Sequence, residues 1–109
     1  MRRTVIESPY AGDIDRNLAY ARRCVKHSLE LGEAPLASHL LYTQMLDDSI
    51  PHERRLGIDA GHAWLGVCQK VIFYIDLGWP RGMLDALAKV VAEEIPYEMR
   101  SLEIEKGSD

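Results

Sequence analysis

Val71-Ile72-Phe73-Tyr74-Ile75, closed by Asp76-Leu77-Gly78-Trp79-Pro80, is the stretch that decides the fold. Five successive apolar residues of high β propensity, with no polar alternation, read as a central strand covered on both faces. Downstream, Met83, Leu87, Val90 and Val91 recur at helical spacing and predict a helix from Arg81 to Glu94, and Tyr97 to Leu102 reads as a last strand. Upstream, Pro51 suits a first helical turn and Glu53 suits a helix N-terminus, while Leu56, Ala60, Ala63, Trp64 and Val67 form one apolar stripe that assigns Trp64 to the core. Leu36-Ala37-Ser38-His39, bounded by Pro35, is the preceding candidate strand. Before it, Asp13 or Asp15 caps a helix whose apolar face is Ile14, Leu18, Ala21, Val25, Ser28 and Leu31, with Gly32 as its stop. The chain opens on a short buried strand at Val5-Ile6, ended by Ser8-Pro9-Tyr10-Ala11-Gly12. The order β-α-β-α-β-α-β predicts the α/β class: a small, doubly wound, Rossmann-like and mainly parallel sheet of about four strands, because parallel neighbours require crossovers.

A chain of 109 residues holds one core, assigned to residues 1–104, with 105–109 as a polar tail. Thirteen Lys plus Arg against 17 Asp plus Glu, a net charge of −4, lack the cationic excess that duplex nucleic acid demands. No apolar run approaches the ~20 residues of a membrane span, and Met1-Arg2-Arg3 leads into nothing resembling a signal sequence, so a soluble, cytoplasmic protein with no membrane partner is expected. Cys24 and Cys68 have no CxxC spacing and read as small buried hydrophobes in a reducing compartment. His52 and His62 do not have the spacing of a helical metal pair, and no metal or cofactor is expected.

In doubly wound sheets, ligands bind beyond the carboxyl ends of the strands. Three loops meet there. The first offers Ser8, Tyr10 and Gly12, with Arg16 a turn into the following helix; the second ends in His39; the third carries Asp76, Trp79, Arg81, Gly82 and Met83, with Asp85 one turn into its helix. Arginine forks suit phosphate oxygens, which singles out Arg16 and Arg81. His39 either donates to a sugar hydroxyl or phosphate or packs as an ordinary histidine. Asp76 can hold ribose hydroxyls or serve in acid–base work, and Asp85 is either a second catalytic acid or a dipole-stabilised surface group. Tyr10 and Trp79 either stack on a base or shield the rim.

Ser8-Pro9-Tyr10-Ala11-Gly12, Arg16-Asn17, a strand ending in Ser38-His39 and a central strand ending in Asp76 before Pro80-Arg81-Gly82-Met83 together resemble the nucleoside 2-deoxyribosyltransferase-like superfamily, in particular its short members encoded by phages and prophages. The resemblance spans residues 4–102. It implies a nucleoside or nucleotide ligand, cleavage or transfer at an N-glycosidic bond, attack by a Glu on the anomeric carbon with an Asp assisting, and homo-oligomers. That Glu is expected four residues after the glycine that opens the last helix; here the glycine is Gly82 and the matching position is Ala86. Asp85 lies one residue away, about 100° around a helix, and would need a shift of register to take the role. The resemblance also places Arg81 where a serine commonly stands, which points to a more anionic ligand.

Two functional expectations follow: a phage-type enzyme acting at an N-glycosidic bond through Asp85 and Asp76, and a non-catalytic module of the same fold that sequesters or senses a nucleotide, including a signalling nucleotide of host defence. Small residues Gly57, Ala60, Gly61 and Ala63 beside Trp64 are expected to let two copies pair closely through the second helix.

Overall fold

A computed structural model describes residues 1–102 and gives the order β1 (Arg2–Glu7), α1 (Ile14–Glu30), β2 (Glu33–Leu36), α2 (Ser38–Leu41), a 3-10 turn (Tyr42–Gln44), α3 (Pro51–Leu65), β3 (Lys70–Tyr74), α4 (Arg81–Ala92) and β4 (Tyr97–Arg100). The expected polar tail, and the last two residues assigned to the domain, lie outside the described residues. All four strands are parallel, in the order β2-β1-β3-β4. The architecture is therefore α/β and doubly wound. The chain moves outward from β1 to β2 and then crosses back past β1 to β3, so the order reverses between β1 and β3, where such folds open a crevice.

Alternation along the strands sorts the two cores. Val5, Val71 and Phe73 face a layer made by Leu65 of α3 and Met83, Ala86 and Val90 of α4. Ile6, Ile72 and Tyr74 face Tyr20 and Cys24 of α1. The apolar run of β3 is thus divided between two helical layers, which is why it shows no polar alternation.

Several boundaries depart from the sequence reading. The second strand is Glu33–Leu36, paired with Arg2–Val5, and not Leu36–His39. Pro35 lies inside it because β2 is an edge strand, where a missing N–H costs no ladder bond on the open side. His39 consequently does not end a strand; it sits in the first turn of α2. On α1, Asp13 is the cap, accepting from the Arg16 amide at 3.2 Å, and Gly32 follows the helix at φ +84°, as a stop glycine should. The buried face of α1, however, is Asn17, Tyr20, Ala21, Cys24 and Ser28, while Ile14 and Leu31 are exposed. The stripe is turned because Asn17 is drawn in to hold the first loop and Tyr20 reaches Asp76.

On α3 the buried residues are Gly61 and Leu65, and Leu56, Trp64 and Val67 are exposed. Trp64 is 44% exposed and donates to the Tyr42 hydroxyl at 2.8 Å, so it bridges α3 to the 3-10 turn and is not core. The small residues serve the chain itself: a Cβ on Gly61 would lie 2.6 Å from Ser38 Oγ, and one on Gly57 3.3 Å from a Leu46 methyl. These two glycines let α3 pack closely on the α2 segment and on Leu46.

A polar network closes the α1 side of the sheet. Arg100 donates to both carboxylate oxygens of Glu33 at 2.9 and 3.1 Å and to Tyr74 Oη at 3.0 Å, with the two charged side chains only 11% and 14% exposed. Ser28 adds a 2.7 Å hydrogen bond to Glu33, and His27 Nδ1 lies 2.9 Å from Tyr74 Oη. Hydrogen bonds from Arg100 hold the Glu33 carboxyl below its usual range against the opposing effect of burial.

Candidate functional site

A cavity of ≈ 250 Å³ lies beside the carboxyl end of β1, between the first loop, the α2 segment, α3 and the start of α4. Its floor begins with strand parity. Val5 faces the α3 and α4 layer and Ile6 faces α1, so Glu7 turns to the α3 and α4 side and its carboxyl enters the cavity. Burial raises the Glu7 carboxyl to about 7, so about half of it is protonated at pH 7. Beside it, Ser8 Oγ lies 2.6 Å from His39 Nε2. Burial pushes the His39 imidazole down to about 4, leaving it neutral at pH 7, and Thr43 Oγ1 donates to the His39 carbonyl at 2.8 Å to fix its turn.

The first loop is held in place from below. Asn17 Nδ2 donates to the carbonyls of Tyr10 at 2.9 Å and Ala11 at 3.0 Å. Gly12, at φ +102°, supplies the left-handed turn that leads into α1. Ser8, Pro9, Tyr10 and Ala11 are thereby presented as one wall.

The opposite rim is charged. Arg81 is 88% exposed, and its Nε lies 3.3 Å from Asp85 Oδ1 across one helical turn. Arg54 of α3 pairs with Asp48 at 3.3 Å. No side chain caps the amino end of α4, where Pro80 precedes Arg81 and Gly82.

Of the residues singled out from sequence, the fold brings Ser8, Tyr10, His39, Arg81, Gly82, Met83 and Asp85 together around this cavity. Gly12, Arg16, Asp76 and Trp79 do not line it. Asp76 is a structural tie: its carboxylate accepts from the Tyr20 and Ser101 hydroxyls and, at 2.9 Å, from the Leu102 amide, joining α1, β3 and the segment after β4. Trp79 packs on the core beside Phe73, with ring centroids 5.4 Å apart. Arg16 is exposed on α1.

The register of α4 is also settled. Ala86 is 0% exposed and packed in the core, whereas Asp85 faces the cavity. Without any shift in the loop, the carboxylate that α4 presents is therefore Asp85.

Sequence reasoning did not select Glu7, Asn17, Tyr42, Arg54 or His62. Glu7 was recoverable from strand parity, since a carboxylate two residues after a core valine must face the same layer. Tyr42, Arg54 and His62 reach the cavity only because α3 leans on α2 through Gly61, which periodicity alone does not reveal.

Residues 2–100 match the family described as "Domain of unknown function (DUF7768)". No curated protein and no solved structure matches the chain.

Proposed function

The chain belongs to this family of domains of unknown function, and we propose that it binds a nucleoside or nucleotide in the crevice at the carboxyl end of β1. The observation that carries the reading is the convergence of four separate chain segments on one cavity at the switch point of a doubly wound sheet. Its polar floor of Glu7, Ser8 and His39 suits sugar hydroxyls or base edges. Tyr10 and Tyr42 supply aromatic wall, and Arg54 and Arg81 offer guanidinium groups to a phosphate.

Chemistry at an N-glycosidic bond is the second reading, favoured by one observation: Asp85 and Glu7 are two carboxyl groups lining a single cavity. In that reading Asp85 attacks the anomeric carbon as the C–N bond breaks, a proton passes to the departing base, and water then releases the sugar from the carboxylate. Against it stands Ala86, whose burial removes the position where the resemblance expects a nucleophile. Binding therefore ranks first, with sequestration or sensing of a nucleotide as the corresponding role. Assembly into homo-oligomers belongs to the same proposal, with Leu56, Trp64 and Val67 of the α3 region as exposed apolar residues.

The test is a thermal-shift series with nucleosides and with mono-, di- and cyclic nucleotides. A ligand at one hundred times its Kd adds about 2.7 kcal/mol of stability. A rise with at least one compound that is lost on Tyr10→Ala supports the crevice; a flat response across the series refutes the reading. If the bound compound releases free base and Asp85→Asn stops the release, the enzyme reading holds; binding without release removes it.

A further inference from the structure

We propose that the ligand lies in the crevice with its uncharged, hydrogen-bonding part on Glu7 and the Ser8–His39 pair and its anionic part on Arg81, and that Glu7, on the cavity floor, decides which nucleoside monophosphate is held. The inference rests on the nucleotide reading above and goes beyond it by fixing orientation and naming the selecting group.

Glu7, Tyr10 and His62 are the ionisable side chains around the cavity that pair with no other side chain among the described residues, and of the three Glu7 is the one whose charge burial opposes. From the α2 segment, His39 is bonded to Ser8 and Tyr42 accepts from Trp64. From α3 and its approach, Arg54 pairs with Asp48, and Glu53 accepts from the Asp47 amide at 2.9 Å. From α4, Arg81 pairs with Asp85. Tyr10 and His62 complete the ionisable lining. Among the described residues nothing donates to the Glu7 carboxyl, which is half-buried and opens into the cavity. A polar group with no protein partner at the floor of a cavity is placed to bond a group that enters it.

Charge sets the orientation. Among the described residues no cation pairs with Glu7, and the neutral His39 offers none, so the floor disfavours a phosphate; the exposed guanidiniums of Arg81 and Arg54 stand at the rim. A carboxylic acid that keeps its proton can donate to a ring nitrogen, a carbonyl oxygen or a hydroxyl, and then selects among ligands by which acceptor they present.

The experiment measures binding by calorimetry at about pH 6 and about pH 8 for the four deoxynucleoside 5′-monophosphates and their parent nucleosides, with wild type, Glu7→Gln and Arg81→Ala. Glutamine keeps a donor in the same place and cannot ionise. Because the phosphate titrates in this range as well, the parent nucleosides serve as its control. With Glu7 titrating near 7, the protonated fraction falls about tenfold between the two conditions, so wild-type binding of the nucleosides weakens about tenfold at the higher pH. Glu7→Gln removes that factor for the nucleosides, and Arg81→Ala weakens the monophosphates while sparing the nucleosides. Wild-type nucleoside binding that is independent of pH, or a pH factor that survives Glu7→Gln, overturns the role of Glu7 and leaves the nucleotide reading standing. Equal loss of both ligand classes in Arg81→Ala overturns the orientation. Binding of none of the eight compounds at either pH overturns this inference together with the reading it rests on.

Discussion

Replacing Glu7 with glutamine stabilises the unliganded protein at high pH and does nothing at low pH. The reasoning is a linkage between folding and protonation. In the folded chain Glu7 titrates at about 7, against an ordinary glutamate value of 4.5. The folded state therefore holds the proton more tightly, and stability is fully present below about pH 4.5 and lost as pH rises through about 7. The difference corresponds to about 3 kcal/mol, and solvent entering through the open cavity reduces it to about 1–2 kcal/mol. Glutamine has nearly the same shape and no charge, so Glu7→Gln recovers this amount above about pH 8, a rise in Tm of about 4–8 °C for a domain of this size. At about pH 5 the two proteins differ by little.

His39 provides an internal check. Its folded value of about 4 lies below the ordinary histidine value of 6.5, so the unfolded chain takes the proton first and stability falls as pH drops from about 6.5 to about 4. The two groups act in opposite directions over overlapping windows, and the wild type is nearly flat there. Glu7→Gln exposes the His39 contribution as an acid-side decline. The assay is chemical denaturation from about pH 4 to about pH 9 for both proteins. A Glu7→Gln protein that is no more stable than wild type at about pH 8, or gains equally at both ends, refutes the claim that Glu7 is an unpartnered interior carboxyl.

Ala86→Glu, which restores the acid implied by the family resemblance, destabilises the protein by about 3 kcal/mol or more, because position 86 is packed among Val5, Leu65 and Val90; an unchanged urea midpoint contradicts the α4 register. Gly61→Ala forces a methyl to 2.6 Å from Ser38 Oγ and lowers stability by about 1–3 kcal/mol, whereas Gly66→Ala meets nothing within 4 Å; equal effects in thermal denaturation contradict the close α2–α3 approach. Arg100→Ala leaves Glu33 enclosed without its cation and costs about 3 kcal/mol at neutral pH. Since Arg100 holds the Glu33 carboxyl low, that loss shrinks as pH falls and Glu33 takes its proton; a deficit that grows on acidification rules the pairing out.

How much of this was legible in the sequence depends on which physical signal each element carries. The run Val71–Tyr74 declared a central strand because burial on both faces leaves no room for a polar position. Asp13 and Gly32 marked the ends of α1 through local backbone chemistry that tertiary contacts did not override. His39 lines the cavity, but the sequence places it on the wrong element, because Pro35 reads as a boundary unless one knows that β2 is an edge strand. Asp76 shows the converse: it lies in the turn two residues past the central strand, and its carboxylate is taken up by Tyr20, Ser101 and Leu102, partners that lie 56, 25 and 26 positions away along the chain. Helix faces failed for a related reason. Hydrophobic period marks Leu56, Trp64 and Val67 as the inner side of the second predicted helix, yet the glycines at 57 and 61 set the contact, since closeness of backbones and not side-chain hydropathy decides how α3 docks.

The central claim is that the crevice beside the end of β1 is a nucleotide site built by the first loop, α2 and the start of α4. The most direct measurement is a titration of the isotopically labelled protein with deoxynucleoside monophosphates, followed by amide NMR shifts. The account predicts saturable shifts at Ser8, Tyr10, His39, Gly82 and Asp85, with Arg16 and Val91 unmoved. No saturable shift with any of them, or shifts centred on Arg16 and the exposed face of α1, contradicts it.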